Sequence, residues 1–144
     1  MNFKELELFK GVDFTMIKEI SEICSEKHYD KDEVLFHAGD KADRLFFLEY
    51  GAVNLVVNSN TGVNFGISEP GEVFGWSAMV EAGAYTATGV AITDLNVFEA
   101  EREKLNLIFN RHPKDGLRVM KSLAGVISKR LNVAYQDLVS CREK

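Results

Sequence analysis

The residues with the clearest chemical use lie between Pro70 and Ala91, in the stretch Pro-Gly-Glu-Val-Phe-Gly-Trp-Ser-Ala-Met-Val-Glu-Ala-Gly-Ala-Tyr-Thr-Ala-Thr-Gly-Val-Ala. Pro70-Gly71 is a turn signal, and Phe74-Gly75 ends a short extended piece. Trp76 to Val80 suits one or two helical turns, which Gly83 breaks, and Thr86 to Ile92 alternates like a strand. A turn that feeds a helix start leaves backbone N–H groups unpaired, with the positive end of the peptide dipoles behind them. Glycine lets a ligand come close to that backbone. The hydroxyls of Ser77, Thr86 and Thr88 add neutral donors. The chemistry this predicts is the holding of an anion.

Other chemistries lack their residues. His28, His37 and His112 contain no His-x-His pair and are spread along the chain, so no metal site is expected, because an ion needs several converging ligands. No serine or cysteine sits in a nucleophile-elbow context, and no Gly-rich loop runs into Gly-Lys-Ser/Thr. The chain is therefore expected to bind and not to catalyse.

Phe74-Gly75 followed by Thr86-Ala87-Thr88, together with Phe36-His37-Ala38-Gly39-Asp40, Leu45-Phe46-Phe47-Leu48 and Gly51, resembles the cyclic nucleotide-binding domain. That is the sensor half of catabolite-activator-like regulators and of kinase regulatory subunits. The resemblance runs from about Leu8 to about Val139. It implies a mainly β fold with flanking helices: a double-stranded β-helix (jelly-roll) barrel with N-terminal helices and a long C-terminal dimerisation helix. It also implies a phosphate-binding cassette formed by Phe74, Gly75, Trp76, Ser77, Ala78, Tyr85, Thr86 and Ala87. The ligand class would be a cyclic nucleotide such as cyclic AMP, or another small-molecule effector, with no further cofactor.

Against the family pattern, Trp76 stands where the ribose-binding glutamate belongs and Tyr85 where the phosphate-binding arginine belongs. Arginine grips a phosphate through two charge-assisted bonds of roughly 1.5–3 kcal/mol each. Losing them, and the glutamate, predicts affinity lower by on the order of a thousandfold. Arg102 and Arg118 lie outside the cassette, so only folding could return a cation to it. Two outcomes stay open: the aromatic rings stack on a different flat ligand, or they fill the pocket and leave a dimeric protein-interaction scaffold.

The elements that must position this stretch follow from periodicity. Leu6, Phe9, Val12, Phe14, Ile17, Ile20 and Ile23 recur at helical spacing. This predicts a short turn over Phe3 to Lys10 and a helix over Thr15 to Lys27 capped by Asp13. After Asp30-Lys31-Asp32 the period becomes two. Strands are expected over Val34–Phe36, Arg44–Glu49, Val53–Asn58, Val63–Ser68, Thr86–Ile92 and Leu95–Glu99, with turns between them, including Ser59–Gly62. Glu103 to Asn110 reads as a short helix, and a last helix starts at Pro113 or Lys114 and runs to about Ser140. In it Leu117, Met120, Ala124, Ile127, Leu131, Ala134 and Leu138 alternate by three and four, the seam of a coiled coil, while Leu123, Val126 and Val133 form a second stripe for the barrel. A homodimer is expected through that seam; the alternative is a monomer whose helix lies on its own barrel.

With 144 residues and 46% hydrophobic side chains, one domain is expected: N-terminal helices over 1–30, a β-barrel over 31–100 and C-terminal helices over 101–144. Net charge is −5, yet residues 111–144 hold 8 basic and 3 acidic side chains. That tail either meets an acidic partner or pairs with the acidic barrel. Regulators of the resembled family usually append a helix-turn-helix after the long helix. The chain ends at Lys144 without one, so no direct DNA binding is expected, and signalling would pass through a protein partner or a further segment. Cys24 falls beside an apolar stripe, as a buried structural thiol would. Two distant cysteines, no apolar leader and no membrane-length apolar run predict a cytoplasmic home and no membrane contact.

Overall fold

In a computed structural model, which describes residues 1–58, 60, 63–81 and 83–142, the strands form two four-stranded antiparallel sheets. In chain order they are β1 (Ser25–Tyr29), β2 (Val34–Phe36), β3 (Arg44–Tyr50), β4 (Val53–Asn58), β5 (Val63–Ile67), β6 (Val73–Phe74), β7 (Thr88–Ala91) and β8 (Leu95–Glu101). One sheet runs β1-β8-β3-β6 and the other β2-β7-β4-β5. The expected β-rich barrel with flanking helices is what forms. The turn expected at Ser59–Gly62 lies largely outside the described residues.

β3 shows why the fold needs this sequence. Leu45 and Phe47 face one side, Phe46 and Leu48 the other, and all four are buried. Successive strand residues point to opposite faces, so β3 feeds two cores. Phe46 and Leu48 join Phe36, Val53, Ile67, Phe74, Leu95 and Val97 between the sheets. Leu45 and Phe47 join Phe3, Phe9, Met16, Ile20, Leu105, Ile108, Val119 and Leu123 under the helices.

Those helices are α1 (Phe14–Ile23), α2 (Arg102–Arg111) and α3 (Pro113–Arg142), preceded by two 3₁₀ turns at Phe3–Glu5 and Glu7–Phe9. Asp13 caps α1 as expected, its carboxylate accepting from the Thr15 N–H at 2.8 Å. The helix ends at Ile23, four residues before the expected Lys27. The residues that follow belong to β1, so the stretch 1–30 is not all helical. β1 is an edge strand whose first four side chains are exposed. It is held by its ladder to β8, from Ser25↔Glu99 to Tyr29↔Leu95. A polar edge strand carries no alternation to read, and its charges protect the sheet edge from stray pairing.

α3 lays Val119 and Leu123 into the helix-side core, with Met120, Val126 and Ile127 packed against it half-buried. Leu117, Leu131, Val133 and Leu138 are about half exposed or more, at 57%, 48%, 56% and 55%. Cys24 packs on the same core, and burial pushes its thiol up to about 12. No helix among the described residues is long and apolar enough to cross a membrane.

Candidate functional site

The cassette begins where β6 ends. Gly75 adopts φ +73°, ψ 28° and starts the 3₁₀ turn Trp76–Met79. A Cβ at Gly75 would come within 2.7 Å of the Phe46 ring, besides needing left-handed backbone. Glycine is thus demanded by packing as well as by conformation.

The return segment through Tyr85 is pinned to the turn at 37–42. The Gly39 N–H donates to the Tyr85 carbonyl at 2.8 Å, and the Tyr85 N–H donates to the Asp40 carbonyl at 3.0 Å. The Thr88 hydroxyl accepts from the Ala38 N–H at 3.0 Å, so that oxygen already serves the fold.

Trp76 and Tyr85 point into different cores. Tyr85 enters the space between the sheets, 4% exposed. Its ring stacks on Phe36 at 4.1 Å between centroids. Its hydroxyl donates to the Arg44 carbonyl at 2.7 Å and accepts from the Arg44 N–H at 3.1 Å. β6 pairs with β3 only at Phe46 and Phe47, so Arg44 lies past its end. The phenol takes the place of the missing neighbour strand, satisfying two backbone groups that would otherwise be orphaned. Burial raises its pKa, and the contact with Arg44 opposes that rise.

Trp76 packs instead against the helix-side core. Over its ring sits the guanidinium of Arg130 from α3, 4.9 Å from the centroid. Arg130 also pairs with Glu72 at 2.6 Å. Glu72 is itself held by the Glu69 N–H at 3.1 Å. Arg130 is the cation that folding returns to the neighbourhood of the cassette; neither Arg102 nor Arg118 lines it. It falls one turn beyond the barrel-facing Val126, a placement the helical stripe contains and the sequence reading passed over.

Arg44 serves the barrel wall. Its guanidinium meets Glu99 at 3.1 Å and donates to the Leu35 carbonyl at 3.1 Å. Burial pulls its pKa down, and the Glu99 carboxylate together with the Tyr29 and Tyr85 phenols more than reverses that. Tyr29 donates to the same carboxylate.

What remains open at the cassette is a space of about 60 Å³, against about 300–1,000 Å³ for ordinary ligand sites. Gly75, Trp76, Ser77, Tyr85, Thr86 and Ala87 line it, and Phe36 and Leu55 complete it. Phe74 and Ala78, expected in the site, are fully buried core residues. Phe36 and Leu55 went unread as lining because they come from β2 and β4, far away in sequence. Roomier open depressions lie elsewhere, about 390 Å³ beside Lys41, Arg44 and Arg102 and about 520 Å³ along the start of α3. Among the described residues, only the exposed trio His28, Asp30 and Asp94 has metal-like proximity.

The seam residues Leu117, Met120, Ala124, Ile127, Leu131, Ala134 and Leu138 divide as well. Met120 and Ile127 pack on the chain's own core, Ala134 is half-buried, and the others are exposed.

Comparison with known proteins agrees with this architecture. The family model described as "Cyclic nucleotide-binding domain" matches residues 26–112. A curated relative, Glutaminase 1 of Bradyrhizobium diazoefficiens, is 30% identical over 132 residues, covering 90% of this chain and 21% of that protein. The cAMP-dependent protein kinase regulatory subunit of Candida albicans is 31% identical over 138 residues, covering 96% of this chain and 26% of that one. Among solved structures, Thermus thermophilus Catabolite Activator Protein superposes with a TM-score of 0.72 at 25% identity, over 92% of this chain and 61% of that one. The chain thus spans about a fifth to a quarter of the length of these two curated relatives.

Proposed function

This chain belongs to the cyclic nucleotide-binding domain family, and on that premise we propose that it is a non-enzymatic regulatory module whose cassette has turned away from cyclic AMP. The observation that carries the reading is Tyr85. It occupies the place of the phosphate-gripping arginine, is buried against Phe36, and spends its hydroxyl on Arg44. A cyclic phosphate entering there would meet no arginine among the residues lining the space and would have to displace a ring that seals the barrel wall. The lost charge-assisted bonds lower affinity by on the order of a thousandfold.

A second reading, a ligand-free scaffold, is favoured by the Arg130–Trp76 stacking and the Arg130–Glu72 pair. They hold α3 against the cassette with the chain's own side chains. Either way the output lies outside the cassette. That the matching segment is a minor part of a glutaminase and of a kinase regulatory subunit supports a module that works on whatever is joined or bound to it. We further propose a homodimer along α3, centred on the exposed Leu131 and Leu138, with Ala134 between them and Ala124 two turns before Leu131. The unpaired thiols Cys24 and Cys141 suit a reducing compartment.

Thermal shift with cyclic AMP, cyclic GMP and a panel of small metabolites tests the pair of readings. A shift with a compound other than the two nucleotides selects the altered sensor, and silence across the panel selects the scaffold. A large shift with cyclic AMP at micromolar concentration contradicts both. Sedimentation at micromolar protein checks the dimer, which a monomer would refute.

A further inference from the structure

The basic charge of residues 111–144 is split in two by the fold. Arg111 pairs with Glu19 at 3.2 Å, Lys129 with Glu7 at 3.2 Å and Arg130 with Glu72 at 2.6 Å. These cations tie the C-terminal region to the rest of the chain. Lys114, Arg118 and Lys121 have no acidic partner among the described residues. Their spacing of four and three puts them on one stripe of α3. Leu117 lies between them, 57% exposed, and together they line the open depression of about 520 Å³. Arg118 is set in place by Gly11, where a Cβ would approach its guanidinium to 2.7 Å.

Like charges at this spacing repel, and a half-exposed leucine among them leaves apolar surface in water. The arrangement is complementary to a surface with the opposite charges and an apolar group of its own. We propose that this face of α3 docks an acidic amphipathic segment of a partner protein, with carboxylates on Lys114, Arg118 and Lys121 and an apolar side chain on Leu117. A second copy of the chain is the wrong occupant. A two-fold interface sets the same patch against itself, and parallel twin helices would bring six cations together at this end. A nucleic-acid backbone offers nothing to Leu117, and three cations on a chain of net charge −5 make a poor phosphate track. The proposal is independent of what the cassette holds, and it leaves Leu131 and Leu138 for the twin.

Fluorescence anisotropy of the full chain with a fluorescein-labelled peptide of repeated Glu-Glu-Leu triplets tests this. Two controls accompany it, the same peptide with lysine for glutamate and a single-stranded oligonucleotide of equal charge. The acidic peptide should bind saturably and weaken as salt is raised. Lys114→Glu/Lys121→Glu should lower its affinity at least about tenfold, and Leu117→Ser should lower it without any change in charge. Lys31→Glu/Lys41→Glu, equal in charge change but away from the stripe, should leave it within about twofold. Should the double reversal fail to fold, Lys114→Gln/Lys121→Gln gives the same test with a smaller loss. Failure of the acidic peptide to bind, equal binding by both double reversals, or tighter binding of the oligonucleotide would each overturn the proposal.

Discussion

Replacing Tyr85 by phenylalanine removes one oxygen and leaves the ring on Phe36. That oxygen makes two bonds, to the carbonyl of Arg44 at 2.7 Å and from its N–H at 3.1 Å. Both backbone groups sit beyond the end of the two-residue strand β6, so no neighbouring strand can take them over. A buried polar group left without its partner costs about 1–3 kcal/mol. The adjoining space of about 60 Å³ can admit water to soften part of that loss, which sets the expectation near 2 kcal/mol. For a domain of this size that corresponds to a fall in Tm of about 4–8 °C. Urea unfolding should show a lower midpoint at unchanged slope, since the surface exposed on unfolding stays the same. Tyr85→Ala, which also forfeits the stacking and opens a cavity, should cost about 3–5 kcal/mol. If Tyr85→Phe unfolds within 1 °C of the parent (roughly 0.3 kcal/mol or less), the phenol is not part of the wall, and the reasoning that it seals the cassette fails.

Other expectations follow from the same contacts. Arg130→Met should cost about 1 kcal/mol through the lost stacking on Trp76 and speed amide exchange over 126–133 while β3 stays protected; unchanged exchange would mean that Arg130 does not latch the helix. Burial pushes the Cys24 thiol up to about 12, so mild alkylation should label the exposed Cys141 first and reach Cys24 only on unfolding; simultaneous labelling would contradict this. Burial and the hydrogen bond to Glu99 push Tyr29 from 10.0 up to about 12. The folded chain then holds that proton more tightly than the unfolded one, so the contribution is intact below about pH 10 and is lost as pH rises towards about 12. Tyr29→Phe should flatten the alkaline limb of a stability–pH curve, and an unaltered limb would refute the assignment.

The barrel was legible because its strands are short apolar-rich runs separated by turn signals. Leu45, Phe46, Phe47 and Leu48 announce a strand, which the structure buries on both faces, and the three-four spacing after Pro113 announces a long helix. β1 was not legible, because Ser25, Glu26, Lys27 and His28 are exposed and take their strand conformation from the ladder to β8. At the cassette, local pattern located Gly75 and its aromatic neighbours. It could not show that Tyr85 turns into the inter-sheet core while Trp76 turns towards α3. Phe74 and Ala78 look like site residues in a linear motif and are core in three dimensions. Arg130 lies far along the chain from Trp76, and only the packing of α3 brings the two together.

Calorimetric titration with cyclic AMP, run on the parent chain and on Trp76→Glu/Tyr85→Arg, probes the altered cassette most directly. We predict no saturable heat for the parent at micromolar ligand. In the double variant, where both charged contacts return, binding should be stronger by on the order of a hundredfold or more. Micromolar binding by the parent, undiminished in the aromatic background, would contradict the account.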